Sequence, residues 1–256
     1  MNTKLVNFSL IKYELRNISG NIFTIIFGVF FPILMSSLLS PVFIKDVPEE
    51  YKSIALTSCF ISFSCIIPLA TVFIGYSAVF SQELQNNIPI RIKLFGYTEK
   101  TFLFSKISAN LIFVTISFFI YSIVNYFVLD IKTPTLFSGS ILIISLYILT
   151  IILFILAHGI AIILKKFAPT YAITMVLYFA IMILSGMFGV TPDSFPKVLQ
   201  SIAYTFPTTY ICNDFIDFWN GSSYNFAPFI QSTLFFLSVS LLVLFYGVYK
   251  NRRSKQ

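Results

Sequence analysis

Charge is scarce in this sequence. Only 11% of its 256 residues are Asp, Glu, Lys or Arg, whereas soluble globular domains run near a quarter. There is too little charged surface for a soluble domain, and so no basic soluble face on which nucleic acid could bind, despite a net charge of +7. Cysteine is scarce too. The three cysteines, Cys59, Cys65 and Cys212, are odd in number and form no C-x-x-C, and two of them lie inside an apolar run, which argues against a disulfide framework or a thiolate metal cluster. Histidine occurs once, at His158 within another apolar run, and reads as a packed or hydrogen-bonded helix residue. The chain has no G-x-x-x-x-G-K-[ST], the backbone cradle for nucleotide phosphates. It has no H-x-x-x-H or G-x-S-x-G, and no carboxylate pair inside an apolar run. We therefore assign no catalytic, cofactor-binding or metal-binding residue, and no nucleic-acid partner.

Apolar mass is what the chain has in abundance. Hydrophobic residues make up 57%, 31 of them are Phe, and the mean hydropathy is +0.87. A helix needs roughly 20 apolar residues to cross about 30 Å of hydrocarbon. Windows free of Asp, Glu, Lys and Arg run over Ile22–Ile44, Ser53–Gln82, Ile107–Leu129, Thr133–Leu164, Phe167–Pro192 and Phe218–Tyr249. Within them we place six spans at 22–44, 53–81, 107–129, 138–164, 167–188 and 228–249. A seventh window, Val198–Asn213, is short, hydroxyl-rich and interrupted by Pro207, and is not counted. The first apolar run starts late, at Ile22, and is too long for the core of a cleavable signal peptide. The expectation is a single all-α polytopic domain over residues 1–256.

With six spans both termini lie on one side, and the charges choose it. Residues 1–21, 82–106, 165–166 and 250–256 carry thirteen of the seventeen bases and three of the ten acids. The intervening segments carry four bases and seven acids. An excess of Lys and Arg marks the cytoplasmic face, so the termini are expected there. No Asp, Glu, Lys or Arg falls inside a window, and His158 is left as the candidate for a proton relay, which disfavours a proton-coupled carrier.

Ahead of the first span, Leu5, Phe8, Ile11, Leu15 and Ile18 recur at helical spacing, while Lys4, Asn7, Lys12 and Glu14 largely fall on the other faces. That pattern predicts an amphipathic interfacial helix, ended by Gly20 and Asn21. Pro32 and Pro68 lie inside the first two spans and are expected to bend them. Two longer polar segments remain. One is 82–106, which reads "QELQNNIPIRIKLFGYTEKTFLFSK". The other is 189–227, rich in aromatics and proline. In the second, Asp193 is expected to cap a short helix with Pro196 in its opening turn, Pro207 to break that helix, and a second to follow through Tyr210. Such a pair, dipping into the membrane and returning, must be covered by protein or line a watery cavity. Interface anchoring by aromatics is the plainer alternative.

The whole pattern resembles the ABC-2 type permease family. "FSQELQNNIPIRIKLFGYTEKTFLFSKI" is similar to its cytosolic segment: an acid, a polar helix, an aliphatic step and a Lys leading into the third span. "SGMFGVTPDSFPKVLQSIAYTFPTTYICNDF" is similar to its Ser-Gly, Pro, Pro, Leu-Gln, Pro-Thr-x-Tyr series before the last span. After the leading acid, "LQNNI" stands where the family often has Gly or Thr and a base. The resemblance implies a type V exporter-like fold: an interfacial helix over 1–21, a coupling segment over 82–106 and an outer re-entrant hairpin within 189–227. It implies that Glu83, Leu84, Arg91, Lys93 and Leu94 couple to a cytosolic ABC ATPase, that ATP-Mg sits on that partner, and that Pro196, Pro207 and Tyr210 belong to the hairpin. It also implies a bacterial cytoplasmic membrane, a homodimer or a heterodimer with a related permease, and transport of a peptide, antibiotic or lipid-like molecule, with export preferred to import. A membrane immunity or sensing protein acting without net transport is the alternative reading.

Overall fold

The computed structural model describes residues 6–253. Leu5 of the expected interfacial helix, and Lys4 and Lys255 of the charge count, lie outside the described residues. Every long element is helical. Among the described residues, six helices are long and apolar enough to cross a membrane: Ile26–Phe43, Glu49–Gln85, Glu99–Val128, Leu136–Leu164, Phe167–Leu184 and Ala227–Arg253, called here spans one to six. Several outrun the uncharged windows. Span two begins at Glu49 and continues to Gln85, and span three begins at Glu99 rather than after Lys106. The windows stop where charge begins. The helices do not: Glu83 and Lys106 pair with each other inside the protein, 2.7 Å apart, and Glu49 and Glu99 stand exposed at the helix starts.

A lead-in helix, Phe8–Gly20, precedes span one. Asn7 caps it by accepting a hydrogen bond from the Leu10 amide at 3.1 Å. Ile11 and Ile18 pack against Ala109 and Phe113 of span three. Two sequence expectations change here. Glu14 does not lie on the polar face but is buried, and Phe8 is 82% exposed. The buried stripe is Leu10, Ile11, Glu14 and Ile18, and its phase carries Glu14 inward.

Spans one and two meet through widened turns. Ile26–Phe30 and Leu69–Tyr76 both wind as π-helix, just before Pro32 and just after Pro68. Such wide turns inside α-helices are uncommon and concentrate at functional positions. A Cβ added at Gly28 would lie 2.2 Å from Thr71 Cγ2, and one at Gly75 would lie 2.9 Å from Thr24 Oγ1. The two helices therefore approach as closely as glycine permits. Span six lies along span four in the same way. A Cβ at Gly159 would meet the Leu244 amide nitrogen at 2.9 Å, and one at Gly247 would meet the Gly159 carbonyl at 3.2 Å. Small residues at helix contacts are the usual means of close packing in a bilayer.

Span two is the axis of the bundle. Of its most apolar stretch 89% is buried inside the protein, against 22–28% for spans one, three, five and six and 56% for span four. Polar contacts join it to its neighbours. The Tyr121 hydroxyl of span three donates to the Phe60 carbonyl at 2.9 Å. Ser36 of span one donates to Asn125 Oδ1 of span three at 2.5 Å, and Asn125 donates in turn to the Tyr121 carbonyl at 2.8 Å. His158 of span four meets the Tyr76 hydroxyl through Nδ1 at 2.6 Å and stacks on Phe80 at 4.6 Å, the environment of a packed, hydrogen-bonded residue.

Candidate functional site

The bundle has a basic end and an acidic end. At the basic end, between spans two and three, the chain forms a short helix, Ile88–Leu94, set off by two backbone reversals. Asn87 takes a left-handed conformation at its start (φ 57°), and Gly96 a positive φ of 87° just beyond it. Pro89 in its first turn suits a helix start. Arg91 and Lys93 are exposed, and so are three apolar neighbours, Ile90 at 59%, Leu94 at 82% and Phe95 at 78%. Leu84 is half-buried and packs on the main core. Gln85 Oε1 accepts the Phe167 amide at 3.0 Å, fastening the end of span two to the start of span five.

Glu83 belongs to a different environment. It is 4% exposed. Lys106, 1% exposed, donates to Glu83 Oε1 at 2.8 Å and to Glu14 Oε2 at 2.8 Å. Asn17 Nδ2 also donates to Glu83 Oε1, at 3.2 Å. The ammonium sits 4.5 Å from the centre of the Phe102 ring and 5.8 Å from that of Phe80, within the range of a cation–π contact. The lead-in helix, the end of span two and the start of span three thus converge on one buried ammonium.

At the acidic end, span five ends at Ser185 and Gly186. Gly186 has φ +86°, a conformation L side chains rarely adopt, and its open flank faces Asn213. The Ser185 hydroxyl bonds Thr208 Oγ1 at 2.5 Å, and Asn213 Nδ2 donates to the Ser185 carbonyl at 3.1 Å. The Ser-Gly and Pro-Thr pieces of the sequence therefore touch. A 3-10 turn, Pro192–Ser194, and three short α-helices follow span five: Lys197–Ala203, Pro207–Asn213 and Phe215–Trp219. Pro207 opens the second of them. Pro196 immediately precedes the first and occupies the capping position that Asp193 was expected to fill. Asp193 instead accepts from Gln200 Nε2 at 2.8 Å and from the Tyr204 hydroxyl at 2.7 Å. Pro196 has no amide hydrogen but supplies the extended backbone that starts the helix, leaving the carboxylate free for side chains. The hydrogen bond to Asp193 pushes the Tyr204 phenol up to about 12. Tyr210 packs on Tyr204, with ring centres 5.8 Å apart, and donates to its carbonyl at 3.3 Å. Ser62 of span two donates to the Cys212 carbonyl at 3.1 Å.

Compared with known protein families, residues 6–214 match the ABC-2 type transporter. The chain belongs to that family. No curated protein matches it. The ABC-2 permease is a multi-pass, all-α membrane protein, and members of its family are non-catalytic transport subunits that typically work with ABC ATPase subunits.

Of the residues the resemblance singled out at the basic end, Arg91, Lys93 and Leu94 share one exposed helix. Glu83 lies inside, and Leu84 is partly covered. Lys106, which bonds Glu83, and Glu14, which shares that ammonium, were not among the residues that the resemblance assigned to coupling. A signal existed: Glu14 follows Leu10 by four residues and precedes Ile18 by four, so the helical phase alone groups it with the apolar stripe. In the permease the Pro196, Pro207 and Tyr210 segment is brought against spans two and five through Cys212, Ser185 and Thr208.

Proposed function

We propose that this permease is the membrane subunit of a bacterial ATP-driven exporter, and that the Ile88–Leu94 helix is where a separate ATPase subunit takes hold of it. The observation that carries this reading is the exposed set Ile90, Arg91, Lys93 and Leu94 on a short helix at the basic end, with exposed Phe95 just past its last residue. Apolar side chains mixed with bases, held away from the hydrocarbon, suit burial against another protein. Under this reading the basic end is cytoplasmic, as the positive-inside rule requires. The lead-in helix lies at the cytosolic interface, and the Lys197–Ala203 and Pro207–Asn213 helices re-enter from the outside. Two permease chains, identical or related, enclose a path for a peptide, antibiotic or lipid-like cargo. Closure of the ATPase subunits moves the docking helix, and the move reaches spans two and five through the Gln85–Phe167 contact.

The test is co-expression of the permease with an ABC ATPase subunit encoded beside it. Wild-type permease should capture that subunit in detergent and support its ATP hydrolysis. Arg91→Ala with Leu94→Ala should insert normally yet lose capture and transport. Unchanged capture by the double variant would remove the docking role from this helix.

A further inference from the structure

Two carboxylates share a single buried ammonium at the junction of the lead-in helix with spans two and three. Glu14, Glu83 and Lys106 are 2%, 4% and 1% exposed. With both acids ionised the cluster would hold an unbalanced negative charge away from water, where an uncompensated charge is costly. The hydrogen bonding separates the two acids. Glu83 Oε1 accepts from both Lys106 and Asn17, and its Oε2 also lies 2.7 Å from the Lys106 ammonium nitrogen. Glu14 accepts from Lys106 through Oε2, while its Oε1 is buried and has no hydrogen-bond partner among the described residues. Glu14 also borders a cavity of about 10 Å³ lined in part by Thr24, Thr71, Tyr76, Lys106 and Asn110.

We propose that this cluster is a proton-binding site, occupied by one proton on Glu14 when the lead-in helix is docked. The charges then balance: one ammonium, one carboxylate and one neutral acid. The titratable groups facing Glu14 are Lys106 from span three, Glu83 and Tyr76 from span two, and Tyr13 from its own helix, with His158 of span four behind Tyr76. Burial is the largest influence on Glu14 and raises its pKa above the ordinary 4.5. Lys106 opposes it, and Glu83 adds to the rise. A neutral acid that is favoured in the docked state and ionises when hydrated makes docking strongest at low pH. That advantage is lost as pH climbs from 4.5 through the raised value. Movement of the lead-in helix away from spans two and three would therefore release a proton at the basic end. This device is independent of which partner or cargo the permease has.

The test is infrared titration of the purified permease in lipid nanodiscs, following the carbonyl stretch of neutral carboxylic acid and its shift in deuterium oxide. Wild type should show a band equivalent to one acid, with a midpoint above 4.5, that disappears in Glu14→Gln and remains in Glu83→Gln with a lower midpoint, because the like charge that adds to the rise is gone. A band that vanishes only in Glu83→Gln, or a wild-type titration with no neutral acid above 4.5, would overturn the proposal. Should Glu14→Gln fail to fold, the wild-type titration together with Glu83→Gln still decides. A second readout is the distance between spin labels at Lys12→Cys and Lys100→Cys, with the three native cysteines replaced. It should lengthen or broaden with rising pH over the same range as the band in the otherwise wild-type protein. A distance distribution unchanged while the band titrates refutes the link to docking.

Discussion

Lys106 and Lys93 carry the same charge at opposite extremes of environment. Lys106 has two carboxylates within 2.8 Å and almost no access to solvent. Lys93 faces Glu99 at 3.6 Å, with both side chains more than two-thirds exposed. Removing one member of a buried ionic group leaves its partners uncompensated, at a cost of about 3–5 kcal/mol, whereas an exposed pair contributes about 0–1 kcal/mol. Lys106→Met should therefore lower the midpoint of unfolding in a detergent–denaturant titration markedly, and Lys93→Ala should hardly move it. Equal midpoints for the two variants would show that the cluster is hydrated and not buried. At this scale the sequence was partly legible. The exposed Arg91, Lys93 and Leu94 could be placed from a polar break between apolar runs. Glu83 could not be told from them, because in a one-dimensional reading all charges look external. Which charge turns inward depends on the lead-in helix folding back onto span three.

At the level of helices, glycine sets the spacing. At Gly28 the obstacle to a side chain is one methyl group, Thr71 Cγ2 at 2.2 Å. Gly28→Ala should therefore destabilise the permease by about 1–3 kcal/mol, as overpacking does. Adding Thr71→Ser, which removes that methyl, should restore most of the loss. Failure of the second change to rescue the first would mean that spans one and two separate instead of clashing. At Gly159 the obstacle is the backbone of span six at Leu244, so Gly159→Ala should cost a similar amount, and no single side-chain change should cure it. Thermal aggregation in detergent measures all three. The six spans were readable because each needs an uncharged run long enough for the hydrocarbon. Their true ends were not, since helix continues as long as its own hydrogen bonds and its neighbours support it. Nor could the wide turns at Ile26–Phe30 and Leu69–Tyr76 be read. Pro32 and Pro68 announced a disturbance, but the π winding coincides with the close approach of two helices at Gly28 and Gly75, which a single chain segment does not display.

For the molecule as a whole, the distribution of charge between its two ends makes a claim about orientation that is open to direct measurement. A cysteine at Asn87, in a variant otherwise lacking cysteine, should resist a membrane-impermeant thiol reagent in intact cells and react after the membrane is opened. One at Ser222, exposed at the acidic end, should react in intact cells. The reverse pattern would invert the topology and place the Ile88–Leu94 helix beyond the reach of any cytosolic ATPase. The order of pieces along the chain carried the overall plan, because each polar segment has a composition suited to its place. The meeting of Ser185 with Thr208, and of Ser62 with Cys212, came only with the folded structure, since these partners lie 23 and 150 residues apart.

Span two has a further consequence for biogenesis. It is the most enclosed helix, yet translation delivers it before the third, fourth and fifth spans that enclose it. It must therefore wait in lipid with hydroxyl groups that later become interior. Most of those groups need no outside help in the meantime: Thr57, Ser64, Thr71, Ser77 and Ser81 each donate to a carbonyl three or four residues back on the same helix, whereas Ser62 and Tyr76 meet Cys212 and His158 only once the later segments arrive. A helix that satisfies most of its own polar side chains can enter the bilayer alone and be wrapped afterwards.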